Sequence, residues 1–122
     1  MDNLLFFIGL STLFVHEMDA VRLAEWRILL GFLHLSDDNG YLLFTALHVP
    51  LYAVILYFLV DTTVPSGLNT AMVRGLDVFF VIHVGLHWVF RNHRHYRFTS
   101  IFSKVLIGLP GVCGVLDLAL RK

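Results

Sequence analysis

His16, Glu17 and Asp19 stand where an almost wholly apolar run, Leu4 to Val15, would be expected to continue. An ionisable side chain at bilayer depth costs roughly 2.5–3.5 kcal/mol on insertion scales, so such a cluster needs a partner or a use. His48 and the His83-x-x-x-His87 pair lie on other apolar segments of the same chain. Neutral imidazoles beside carboxylates are the ligand set of a zinc or non-haem iron site. A histidine pair spaced i, i+4 on one helix, completed from neighbouring helices, closes such a site naturally. The sequence therefore nominates His16, Asp19, His48, His83 and His87 as metal ligands and Glu17 as a general base. Zinc is the first expectation, with iron or manganese if both acids ligate. The surplus of donors points to a dinuclear site or to one histidine standing behind the ligands. A His-Glu-x-x-His zincin motif is absent, because position 20 is alanine.

The elements that would hold these residues follow from composition. The 122 residues are 57% hydrophobic, with mean hydropathy +0.76. That is too apolar for a soluble domain of this size and predicts one integral membrane domain, all-α. The formal net charge of zero gives no nucleic-acid footprint. A single cysteine, Cys113, excludes an internal disulfide. No P-loop, dinucleotide fingerprint or zinc-finger spacing occurs. The N-terminal run lacks a basic leader and a small-residue cleavage site, so it is expected to be a retained helix.

Hydropathy predicts four spans, about 3–24, 41–60, 70–90 and 98–120, joined by short connectors into an antiparallel four-helix bundle. Trp26 and the arginines at 22 and 27 suit an interfacial exit, and Ile28 to Leu35 an interfacial extension. Ser36-Asp37-Asp38-Asn39-Gly40 reads as a turn. Pro50 cannot donate to the carbonyl of Ala46, which is expected to be left free near His48. Gly108, Gly111 and Gly114 form a small-residue stripe suited to close helix packing. Arg74 is expected to pair with Asp77 or Asp117 as a staple near the termini. Arg22, Arg27, Arg91, Arg94 and Arg97 outnumber Arg74, Arg121 and Lys122, so the positive-inside rule places the connectors in the cytoplasm and the termini outside.

Depth and facing bring the donors together. At ~1.5 Å rise per residue, His16, His48 and His83 all fall ~10 Å from the connector surface, with His87 one turn nearer to it. At about 100° per residue His83 and His87 are ~40° apart on one face, and Asp19 can share the inward face of His16. Ser103 and Lys104 reach a similar level on the fourth span. His34, His93 and His95 lie in connectors, where a solvated role is expected. The eleven phenylalanines are expected to pack or to face lipid.

The pattern His16-Glu17-x-Asp19-Ala20, Glu25-Trp26-Arg27 and His48-Val49-Pro50 resembles an uncharacterised family of small bacterial membrane proteins over most of the chain. The resemblance implies the fold and a bacterial source but no particular reaction, and a bacterial inner-membrane location is expected. The ligand types alone also look like the zinc sites of intramembrane hydrolases such as alkaline ceramidases and the adiponectin-receptor group, which have seven helices. The leading expectation is a metal-binding membrane protein, a hydrolase or oxidase acting on a lipidic substrate. Two alternatives stand beside it. One is a haem-binding electron carrier with His48 and His83 as axial ligands. The other is a non-catalytic subunit whose acids and histidines relay protons or cations, or simply hydrogen-bond across helices.

Overall fold

The computed structural model describes residues 3–121; Lys122, counted in the charge balance, lies outside them. The described chain is all-helical. Four of its helices, α1 (Leu4–Arg22), α3 (Asp37–Val60), α4 (Ser66–Phe90) and α5 (Ile101–Leu120), are long and apolar enough to cross a membrane. Between α1 and α3 lie a single turn of helix, α2 (Trp26–Leu29), and a 3-10 turn, Gly31–Leu33.

Helix α5 packs closely along both α1 and α4, and α3 leans on this group from outside. Missing side chains permit the closest approaches. A Cβ at Gly114 would stand 2.6 Å from the Asp77 carbonyl oxygen, and one at Gly111 would stand 2.5 Å from Val84 Cγ2. Gly108, the third member of the expected stripe, meets nothing within 4 Å. The core is built mainly on Phe6, Leu10, Leu13 and Phe80, with a second cluster around Ala20, Phe44, Phe98 and Ile107. Helix α3 buries only Gly40, Phe44 and Ile55.

Helix boundaries depart from the hydropathy reading where local capping takes over. The polar stretch expected as a turn is the start of α3. Ser36 is its N-cap and accepts a hydrogen bond from the Asn39 amide at 3.3 Å. Asp37 and Asp38 then occupy the first turn, where acids suit the helix dipole. Gly40 belongs to this helix because Trp26 lies against it; a Cβ there would come within 2.5 Å of the indole. Asp37 also receives Arg27 in a two-pronged ion pair, 2.6 and 2.9 Å, which ties α2 to α3. Helix α4 starts at Ser66, directly after Pro65. Asn69 of its first turn donates to the carbonyls of Phe58 and Leu59 at the end of α3, 2.9 and 3.2 Å. Helix α5 starts at Ile101 because Ser100 caps it, accepting from the Ser103 amide at 3.0 Å.

The end of α1 matters most for the site. Ala24 has φ 57°, the left-handed region. The Glu25 amide reaches the Ala20 carbonyl at 3.0 Å and the Ala24 amide reaches Val21 at 3.2 Å. These two bonds are the Schellman pattern that ends helices, with alanine where glycine is usual. The motif reverses the chain and folds Glu25 back into the interior, only 8% exposed.

Candidate metal centre

His16 of α1 and the His83–His87 pair of α4 meet in one group. Each offers a ring nitrogen, these donor atoms lie within 4.8 Å of one another, and all three residues are buried. The rings contact edge to face, with centroids 4.7 Å apart for His16–His83, 5.0 Å for His16–His87 and 4.7 Å for His83–His87. Phe98, fully buried ahead of α5, backs His16 and His87 at 5.4 and 4.8 Å. Ala20, one turn after His16, is 0% exposed.

The hydrogen bonding of this group is incomplete. Neither ring nitrogen of His16 has a partner among the described residues, and neither does His83 Nδ1. A neutral imidazole carries one donor and one acceptor. Leaving such a group buried and unpaired costs about 1–3 kcal/mol. His87 is better supplied: its Nδ1 is 3.3 Å from the Tyr96 hydroxyl and its Nε2 is 3.4 Å from Glu25 Oε1. Burial, followed by the nearby Glu17 carboxylate, pushes Glu25 up to about 8.

These residues fit a divalent metal. A tetrahedral zinc with Zn–N bonds of ~2.0–2.1 Å holds its nitrogens roughly 3.4 Å apart, so modest ring rotations would close the set. Three imidazoles leave a fourth position open, the arrangement of catalytic rather than structural zinc. With Glu25 on Nε2, His87 would ligate through Nδ1 in exchange for its 3.3 Å contact with the Tyr96 hydroxyl, and Glu25 would be the carboxylate that fixes the ring of a metal ligand.

The other two nominated ligands are engaged elsewhere. Both carboxylate oxygens of Asp19 are hydrogen-bonded. Oδ1 accepts from Arg22 Nε and Nη2 at 3.1 and 2.9 Å, and Oδ2 accepts from the Ser103 hydroxyl at 2.6 Å. Ser100 in turn donates to Ser103 at 2.9 Å. Asp19 thus ties α1 to the capped start of α5, which is why its share of the inward face points to a helix clamp instead of the histidines.

His48 faces Glu17. Its Nδ1 donates to the carbonyl of Phe44 at 2.7 Å, the oxygen one turn back, rather than leaving a role to the Ala46 carbonyl expected from Pro50. Its Nε2 is 2.9 Å from Glu17 Oε2. A carbonyl can only accept, so Nδ1 carries a proton and one further proton is shared between Nε2 and Oε2. The depth coincidence of four histidines therefore resolves into a trio and a separate carboxyl–imidazole pair.

Both groups border one cavity of about 300 Å³. Glu17, Glu25, His48, His83, His87 and Tyr96 contribute its polar lining, and apolar side chains, mostly leucines and phenylalanines, the rest. Glu25 is the lining residue that the sequence does not single out, because it stands among the interfacial residues Arg22, Trp26 and Arg27. A glycine at position 24 would have signalled the reversal; alanine conceals it. His34 and His93 are exposed and His95 half-buried, all outside the trio.

The staple near the termini is made by a different arginine. Arg121 Nε and Nη2 reach Asp117 Oδ2 at 2.9 and 2.5 Å, and Arg121 Nη1 reaches Asn3 at 3.0 Å. Asp77 is fully buried beside Asp117. Arg74 is exposed. It sits one turn before Asp77 on α4, on a side chain path that leads outward.

Comparison with curated proteins and with solved structures finds no significant match. A family model does match, over residues 2–122, and on that match the chain belongs to the Family of unknown function (DUF6713).

Proposed function

We propose that this is an integral membrane protein, an antiparallel four-helix bundle that holds a divalent metal ion on His16, His83 and His87. Zinc is the first choice, for hydrolase or oxidase chemistry on a lipidic substrate. The observation that carries this reading is the buried trio, whose donor atoms lie within 4.8 Å of one another while both nitrogens of His16 lack a partner among the described residues. Polar groups are not normally buried in this condition, and a cation would take one nitrogen from each ring of the trio. When bound, zinc would supply Lewis acidity and lower the pKa of a water at the open position. Glu25 would orient His87. Glu17 and His48 would hold one exchangeable proton on the cavity wall, in reach of general acid–base work on a bound substrate.

The haem reading has less support. Both ring nitrogens of His48 are engaged, and the rings of the trio meet edge to face, whereas axial ligands stand on opposite sides of a porphyrin. A bacterial inner-membrane setting with the termini outside is part of the proposal, resting on the charge distribution of the connectors.

Elemental analysis of protein purified without a histidine tag tests the site. The wild type should carry a stoichiometric transition metal. His83→Ala should lose it, Glu25→Gln should bind it about 10–100-fold more weakly, and His93→Ala should match the wild type. A wild type without stoichiometric metal, gaining no thermal stability from zinc, iron or manganese, would refute the reading.

A further inference from the structure

The cavity beside the trio has an outer wall that is half open. Leu47 and Leu51 of α3 are each 50% exposed, and Phe79 and Leu86 of α4 are 40% and 42% exposed. Between Phe44 and Ile55, helix α3 buries no residue at all. His48 lies within that interval, and so does Pro50. At this level α3 is tied to α1, through His48 on Glu17 and Tyr52 against Phe14, while the cavity separates it from α4 at the depth of the histidines.

We propose that the gap between α3 and α4 is a lateral portal, through which a single fatty acyl chain enters from the bilayer and places its carbonyl head against His83, His87 and Glu25. The inference rests on the membrane reading above and deepens it by naming the substrate class of the same site.

Three physical points support it. The volume of about 300 Å³ is at the lower end of ligand sites, which run to roughly 1,000 Å³; it suits one chain and excludes a two-tailed lipid as a whole. The lining is apolar on both sides of the polar groups, with Phe44, Phe90 and Leu29 nearer the connectors and Leu51 and Phe79 farther from them. Leu51 follows His48 on α3 and Phe79 precedes His83 on α4, so both lie about a turn further from the connectors than the polar groups. A tail directed away from the connectors meets them, while its head stays with the imidazoles. Finally, an acyl chain in the bilayer is already dry, and lipid tails are as apolar as leucine. Moving the chain into the cavity gains little hydrophobic energy, so the head group must select the ligand, and the polar groups stand where a head would reach them.

Photolabelling decides it. Full-length protein in lipid nanodiscs is irradiated with a diazirine-bearing fatty acid or, separately, with a phosphatidylcholine carrying the same diazirine on one acyl chain, and labelled peptides are mapped. Labelling should concentrate on Leu47, Leu51, Phe79 and Leu86, in excess over Val105, Val112 and Val115, which are 53%, 56% and 53% exposed on α5. Excess unlabelled fatty acid should compete. Leu51→Trp and Leu47→Trp, at exposed positions that the fold does not need, should each abolish the excess, and Val105→Trp should not. Portal labelling by the free acid alone assigns the acid as ligand, and labelling by the phospholipid alone assigns the ester. Even labelling of all exposed faces, or an excess untouched by both tryptophan variants, overturns the portal. Metal is measured in the same preparation: metal with even labelling defeats the portal alone, and portal labelling without metal defeats the metal reading alone.

Discussion

Two buried polar clusters occupy opposite ends of the α1–α4–α5 group, and they are built on opposite principles. Near the termini, Asp77 and Asp117 are buried together, and the chain brings its own cation, Arg121, onto Asp117. Near the connectors, His16, His83 and His87 are buried together, and the ionisable group that reaches them is an acid, Glu25. The first cluster holds its counter-charge within the sequence, on Asp117, although neither oxygen of Asp77 has a hydrogen-bond partner among the described residues. The second collects donors and a carboxylate around a point where a cation would complete it. Burial of ionisable groups alone therefore does not identify a site; the sign of what the chain supplies beside them separates a staple from a binding centre.

The largest expected effect lies at the staple. Arg121→Leu removes the cation and leaves buried carboxyls facing each other. Breaking a buried pair from one side costs about 3–5 kcal/mol. Unfolding in detergent should show a loss of that order, with metal content per folded protein unchanged. A loss of metal without a loss of stability would mean that the two ends are not the independent devices described.

At the other end the sign should reverse. His16→Leu removes two unpartnered buried nitrogens and puts an apolar group of similar size in their place. Metal-free protein should gain about 1–3 kcal/mol, and the stabilisation of wild type by added zinc should disappear. Chemical denaturation with and without chelator measures both numbers. If His16→Leu destabilised the metal-free protein, the imidazole would have a protein partner, and the contrast between the ends would fail.

The two ends were unequally legible in the sequence. Periodicity and hydropathy locate the four long helices, and depth counting places His16, His48 and His83 at one level with His87 one turn nearer the connectors, because rise and turn angle are regular within a helix. The same counting could not separate His48 and Asp19 from the trio. Depth says nothing of which neighbouring helix a side chain faces, and each found a nearer partner, Glu17 for one and Ser103 with Arg22 for the other. The sequence points to Arg74, on the same helix as Asp77, as the staple, whereas the cation that reaches Asp117 is Arg121, four residues on at the end of α5. The start of α3 is hidden because the capping stretch at Ser36 reads as a turn by composition alone, and α5 starts at Ile101 instead of 98 because Ser100 caps it. Glu25 was missed for the corresponding reason at a helix end.

That helix end gives the smallest effect and the sharpest test of how Glu25 is aimed. Ala24 sits at φ 57°, a conformation glycine adopts freely and a β-branched residue resists. Ala24→Gly relieves the backbone, loses a buried methyl, and loosens the unfolded chain. These terms oppose one another, so its stability should stay within about 0.5 kcal/mol of wild type. Ala24→Val instead opposes the left-handed turn and should cost about 1–2 kcal/mol. The informative readout is zinc affinity. The Schellman bonds carry Glu25 back toward His87, so the valine variant should bind zinc more weakly, approaching Glu25→Gln, while the glycine variant binds as wild type. If the valine variant lost stability but bound zinc normally, the turn would serve only to end α1, and Glu25 would owe its place beside His87 to the packing of α2.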